Sequence, residues 1–296
     1  VCELALYNTV LSGMALDGKS FFYVNPLEVL PEACHKDFHK SHVKPVRQKW
    51  FGCACCPPNI ARIVSSVASY AYTEREDTLW FHLYMGSVLT KMVGGQEMNL
   101  CVETDMPWNG HVSVKFHTQE AVSCTLAMRI PGWSVKGSAT VVCGGAAVGI
   151  SWEKGGGQLY VVQGSLKEVS VQDGYLYLSG AWQEGDCISL AFSMEVHIVC
   201  ANERVREDIG KAAFIRGPVV YCMEEADNGK DLHLYSIDAA QLGTDCQNAV
   251  VEMSEELGHP MAVLRVPGKR RLFSQSEKRT LYRKYEPAQY EDVTLK

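Results

Sequence analysis

Cys53-Ala54-Cys55-Cys56-Pro57-Pro58-Asn59 constrains this chain more than any other stretch, with three thiols in four positions stopped by two prolines. Each proline fixes φ at about −65° and lacks an N–H, so the pair suits the first turn of a helix and stiffens what precedes it. Beyond it, Ile60, Ile63, Val64, Val67 and Tyr70 recur at helical spacing, which predicts an amphipathic helix over 60–70 that ends near Thr73. The thiols therefore sit at a helix N-terminus, where orphan N–H groups and the macrodipole stabilise anions. A thiol there ionises more readily, and the thiolate is both nucleophile and metal ligand. The plain alternative is three inert cysteines packed as small hydrophobes.

Two chemistries fit such a cluster. Zinc takes cysteine, histidine and carboxylate ligands in a tetrahedron, and His35, His39 and His42 precede the cysteines closely enough to complete a structural site. Exposed loop histidines are the competing reading. Nucleophilic catalysis by a thiolate needs a positioned acid to protonate the leaving group. Glu28, in Asn25-Pro26-Leu27-Glu28, is the nearest carboxylate in a rigid setting, although a loop glutamate facing water explains it as well. Tyr23 could present its hydroxyl to a polar ligand, or be an ordinary half-buried tyrosine.

At 296 residues the chain is long for one domain. Residues 1–11 read as a helix with Leu4, Tyr7 and Leu11 on one side, and an irregular, histidine-bearing stretch runs from Leu27 to Trp50. After Thr73 short strand candidates alternate with turns, among them 79–85, 100–104, 112–116, 124–130, 140–143, 159–162, 175–178 and 187–192. That texture argues a β-sandwich. A second β-rich unit starts near Ala201, carrying 213–222 and 262–266. Helices first and strands later indicate separate domains, a multidomain α+β chain. The 145–173 segment reads as an insertion, and its Gly155-Gly156-Gly157 lacks the strand-to-helix setting of a phosphate loop. The first residues read as a helix in mid-course and the last as a strand in mid-course, so a piece of a longer protein is expected.

A net charge of −6 argues against nucleic acid. The one basic concentration, Lys269-Arg270-Arg271 through Lys284, is interrupted by Glu277 and reads as a solvated face. No apolar run approaches the roughly 18 residues of a membrane span. Seven of the twelve cysteines stand alone and form no disulfide framework, so a reducing, cytoplasmic compartment is expected.

Several motifs together resemble glycoside hydrolase family 127, whose known activity is β-L-arabinofuranosidase: Tyr7-Asn8-Thr9-Val10, Gly13 to Gly18, Phe22 to Glu28, His42 to Arg47, and Trp50 to Asn59. The likeness continues through Trp182 to Asp186 and Arg216 to Cys222. The resemblance implies the end of an (α/α)6 barrel over 1–73, a β-sandwich domain over 74–200 and a second, incomplete one over 201–296. It implies Cys55 as the nucleophile of a retaining mechanism, Cys55 and Cys56 as zinc ligands, and Tyr23 in the sugar pocket. Cys53 is assigned neither role. The remaining ligands and the acid/base glutamate would precede Val1, which demotes His35, His39, His42 and Glu28 and makes the chain alone inactive. Implied partners are a plant-derived arabinofuranoside oligosaccharide and a second copy of the chain through the β domains. The alternatives are a non-catalytic carbohydrate-binding or dimerisation module and a structural Cys/His zinc protein.

Overall fold

The computed structural model describes residues 1–53, 55–153, 160, 161, 166–274, 277 and 280–296. They form two compact units, Val1–Met194 and Glu195–Lys296.

The first unit is built on two sheets. One has five strands in the order β1 (Tyr72–Arg75), β2 (Thr78–Phe81), β6 (Val122–Arg129), β11 (Tyr175–Trp182) and β10 (Glu168–Gln172). The other has seven, in the order β3 (Ser87–Val93), β4 (Gln96–Thr104), β5 (His111–Phe116), β12 (Cys187–Phe192), β7 (Lys136–Cys143), β8 (Ala146–Glu153) and β9 (Tyr160–Val161). Alternation sets the register: Leu126 and Met128 of β6, Leu176 and Leu178 of β11, and Leu100 and Val102 of β4 all point into one shared core. The sheets are joined by Phe116 and Trp182, whose rings stack at 4.7 Å. Trp182 also donates its indole N–H to the Cys124 carbonyl at 3.2 Å, so the core's largest polar edge is satisfied.

Two of the hairpins turn on Gly94-Gly95 and Gly144-Gly145, and all four glycines have positive φ. Such pairs match the twist of the flanking strands. The 145–173 segment contains two strands: β8, whose Val148, Ile150 and Trp152 alternate into the core, and β10, which pairs along β11. Its triple glycine lies outside the described residues.

The N-terminal part of this unit is helical and thinly buried. Cys2–Ala5 (α1) continues as a wider π-wound turn through Leu11, followed by α2 (Pro31–Lys36), α3 (Cys56–Ser65) and α4 (Ala68–Ala71). Among its described residues only Glu3, Gly13, Phe21, Cys34 and Ala71 are buried. The helix expected over 60–70 starts earlier and breaks after Ser65. Ser66 Oγ donates to Arg62 O at 2.8 Å and Ser69 Oγ to Ser66 O at 2.7 Å. Hydroxyls that bond the preceding turn compete with the helical ladder.

In the second unit, β13 (Val196–Val199), β14 (Ala213–Arg216) and β15 (Val219–Tyr221) make one antiparallel sheet. The unit therefore begins at Glu195 rather than near Ala201, because β13 pairs with β14. A second sheet is organised on the long β18 (Met261–Leu272), which pairs with β16 (Tyr235–Ile237), β17 (Val250–Ser254) and β19 (Gln289–Leu295). The described part of the basic stretch is half-exposed and paired with acids. Lys269 meets Asp238 at 3.0 Å, Arg270 meets Glu291 at 3.4 Å, and Arg283 pairs with Glu277. All twelve cysteines are free thiols. Among the described residues no helix is long and apolar enough to cross a membrane.

Candidate active site at a helix N-terminus

The thiols are presented by α3 as the proline pair dictates. Cys56 is its first residue and Cys55 its N-cap, already in right-handed helical geometry at φ −75° and ψ −33°. Asn59 donates from Nδ2 to the Cys55 carbonyl at 2.9 Å and accepts from Arg62 Nη2 at 3.2 Å, which ties the cap to the first two turns.

Tyr23 reaches the same point from a different direction. Phe21 exchanges backbone hydrogen bonds with Gln48, both 2.9 Å, and Phe22 N donates to Gly13 O at 2.8 Å. Arg47 lies 4.7 Å above the Phe22 ring and donates to Ser12 O at 2.6 Å. Phe51 then packs against both Phe21 and Tyr23, at 5.3 and 5.6 Å between ring centroids. The extended run before Asn25-Pro26 is thereby pinned beside the cysteines. Sequence reasoning missed Phe51 as a support; its place two residues before Cys53 was the available sign.

Cys55 Sγ stands 3.4 Å from Cys53 Sγ, 3.6 Å from Cys56 Sγ and 3.9 Å from the Tyr23 hydroxyl. Cys56 donates its S–H to the Tyr23 carbonyl at 3.7 Å. Cys53 and the Tyr23 hydroxyl can donate to a Cys55 anion, and Cys56 can do so by turning its one S–H from the Tyr23 carbonyl. Hydrogen bonds from Cys53, Cys56 and Tyr23 hold the Cys55 thiol below its ordinary range. The neighbours move the other way, Tyr23 upward by its hydrogen bond to Cys55 and Cys56 upward by burial and then by Cys55. Of the adjacent pair, Cys55 is thus favoured as the thiolate and Cys56 as the thiol. Cys53, given no role by sequence, is in contact with Cys55.

The other candidates lie elsewhere. Glu28, Cys34 and His42 line a separate hollow of about 380 Å³ with Leu30 and Val43. His35 is exposed on α2, and His39 is exposed beside Phe38. Among the described residues no group of three or more His, Cys, Asp or Glu side chains is arranged to hold a metal, so a self-contained Cys/His site is not supported. Two thiols do fit an edge of one. Zn–S bonds of about 2.3 Å in a tetrahedron put sulfurs about 3.8 Å apart, close to the 3.6 Å between Cys55 and Cys56.

A pH prediction follows from these directions. In chelator-treated protein, alkylation by iodoacetamide read by peptide mass spectrometry is expected to be fastest at Cys55. Its midpoint should lie below the free-thiol value of about 8.5, because a lowered pKa supplies thiolate at lower pH. Tyr23→Phe removes one donor and should move that midpoint upward; an unmoved midpoint would show that Tyr23 does not act on the sulfur.

With this geometry in place, the chain's relatives are informative. Residues 1–69 match the model of the GH127 catalytic domain of β-L-arabinofuranosidase, 78–194 that of the GH127 middle domain and 196–277 that of the glycoside hydrolase family 127 C-terminal domain. A non-reducing end β-L-arabinofuranosidase from Bifidobacterium longum subsp. longum is 38% identical over 269 residues, covering 87% of this chain and 36% of that protein. The structure of a GH127 β-L-arabinofuranosidase from Geobacillus stearothermophilus T6 superposes with a TM-score of 0.80 at 37% identity, over 99% of this chain and 42% of that one. A GH127 β-arabinofuranosidase, BT3674, gives 0.75 at 29% identity, over 99% and 41% respectively. The chain therefore spans well under half the length of these relatives.

Proposed function

Because the chain belongs to glycoside hydrolase family 127, we propose that it carries the nucleophile of a retaining β-L-arabinofuranosidase, with Cys55 as the attacking thiolate. The observation that carries this reading is the setting of Cys55, whose sulfur faces Cys53, Cys56 and Tyr23 and is held below its ordinary pKa by them.

The thiolate attacks the anomeric carbon, a C–S bond forms, and the glycosidic C–O bond breaks with its electron pair leaving on the aglycone oxygen, which takes a proton. Water then attacks the same carbon, the C–S bond breaks, and L-arabinose leaves while the thiolate returns. Two inversions at one carbon give overall retention. Most retaining enzymes use a carboxylate for the first attack; here the softer sulfur takes that place. Tyr23, pinned by Phe51, donates to the thiolate in the resting site and to the sugar ring or its hydroxyls when substrate enters. Cys55 and Cys56 would hold zinc, whose charge keeps coordinating thiols deprotonated at neutral pH. The natural substrate would be a plant-derived oligosaccharide ending in β-L-arabinofuranose.

The reading also takes 1–73 as the end of an (α/α)6 barrel. Supporting it, Val64 and Tyr70 on the apolar face of the α3–α4 segment remain 43% and 46% exposed, as befits helices that pack against further helices.

Stereochemistry tests the mechanism. Hydrolysis of p-nitrophenyl β-L-arabinofuranoside by the complete protein in the presence of methanol is expected to yield methyl β-L-arabinofuranoside by NMR. Methyl α-L-arabinofuranoside as the first product would exclude a covalent cysteine intermediate.

A further inference from the structure

On the outer face of the five-stranded sheet, Thr73, Glu74, Arg75, Trp80, His82 and Tyr175 line a shallow, open hollow of about 450 Å³. Register places three of the lining residues together: Thr73 pairs with Trp80, Trp80 with Ala127, and Tyr175 with Arg129, two residues along from Ala127, so Thr73, Trp80 and Tyr175 share one face.

Its polar groups have a particular character. Thr73 Oγ1 lies 2.7 Å from His82 Nε2, and His82 Nδ1 lies 2.7 Å from the Tyr175 hydroxyl. Burial and the Arg129 cation hold His82 below its ordinary range, so a neutral imidazole donates through one nitrogen and accepts through the other. The hydroxyl–imidazole–hydroxyl chain can run in either sense. The flanking charges cancel in pairs, Glu74 with Lys91 at 3.2 Å and Arg75 with Glu76 at 3.7 Å. A site with no net charge and reversible hydrogen bonds suits a neutral ligand whose groups both donate and accept. The Trp80 ring adds an apolar face for C–H surface.

We infer that this hollow is a secondary saccharide-binding site, one that holds a sugar unit of a glycan through stacking on Trp80 and hydroxyl contacts to Tyr175, His82 and Thr73. It is built from other residues than the cysteine cluster. The inference rests on the proposed function only for the choice of sugar to try.

The test uses the complete protein in the Cys55→Ser form, so that the probe is not consumed, with the tryptophans labelled with ¹⁵N. The probe is an arabino-oligosaccharide ending in β-L-arabinofuranose. Titration should shift the Trp80 indole resonance, assigned by its loss in Trp80→Phe, in a saturable way. Tyr175→Ala should weaken that binding at least about tenfold, a loss of roughly 1.4 kcal/mol. Thr73→Val, which deletes one relay hydroxyl and keeps the side chain's shape, repeats the measurement if Tyr175→Ala fails to fold. A silent Trp80 resonance while the parent enzyme cleaves the probe would overturn the inference and leave the catalytic reading standing. A saturable shift in a protein whose parent shows no hydrolysis would do the reverse. A shift produced equally by inorganic phosphate would also overturn the inference, since the site would then select charge.

Discussion

In the complete protein, Cys55→Ser is expected to lower kcat/KM for p-nitrophenyl β-L-arabinofuranoside by at least about 10³-fold, in line with nucleophile deletions elsewhere. Serine matches cysteine in shape, but its hydroxyl is far less acidic and stays protonated where a thiol in these surroundings ionises more readily. The environment that favours the Cys55 anion therefore has little to act on in the variant. Cys53→Ser is the matched control. It exchanges the thiol 3.4 Å from Cys55 for a hydroxyl, which still donates, and leaves the Cys55 sulfur in place, and so should cost far less. Equal losses in the two variants would mean that the cluster acts through structure. Mass spectrometry adds an independent reading, because a quenched reaction of the parent should carry one pentosyl group on the Cys55 peptide. Activity retained in Cys55→Ser would end the thiolate mechanism.

The second large effect concerns stability. Arg129→Ala should lower the unfolding free energy of the first unit by about 3–5 kcal/mol, the usual consequence of stranding one partner of a buried ion pair. Glu3 is nine-tenths buried and meets Arg129 Nη2 at 2.5 Å while accepting from Trp133 Nε1 at 2.9 Å. Arg129 also donates from Nε to the His82 carbonyl, and its own carbonyl accepts from the Tyr84 hydroxyl at 2.6 Å. Tyr7 registers the same enclosure, its pKa pushed up to about 12 by burial and then by the Glu3 charge. Removing the guanidinium leaves a carboxylate with one indole donor in a dry place. Urea unfolding would measure the loss. The double variant Glu3→Gln, Arg129→Met should recover much of it, since neither charge is then left alone. A loss below about 1 kcal/mol would put this pair with ordinary surface bridges.

Legibility in the sequence differed sharply between these two features. Two prolines and a helical apolar period placed the cysteines at a helix start by local rules alone, and α3 begins there. Choosing Cys55 among the three required the resemblance, because spacing says nothing about which sulfur faces which donor. Tyr23 reaches the cluster from 32 residues away through bridges to Gln48 and packing on Phe51, none of which has a local pattern. The Glu3–Arg129 pair joins residues 126 apart and was not seen at all. A single glutamate in an N-terminal helix reads as solvated until the strand that covers it is known. Strand texture announced the sandwich, yet β8 and β10 were passed over because glycine-rich flanks resembled an insertion. The same glycines, Gly144 and Gly145, are the turn that lets β8 fold back on β7.

β12 lies in the middle of the seven-stranded sheet, between β5 and β7, although it is the last of those strands in the chain. A ribosome therefore releases both flanking strands long before the one that joins them. Over the stretch from Cys143 to Phe192, at about 5–20 residues per second, the sheet spends several seconds with two open edges. Open edges are templates for foreign strands. The hazard to this protein is greatest at its birth, and expression yield should respond to translation speed and to chaperones more than to the stability of the finished fold.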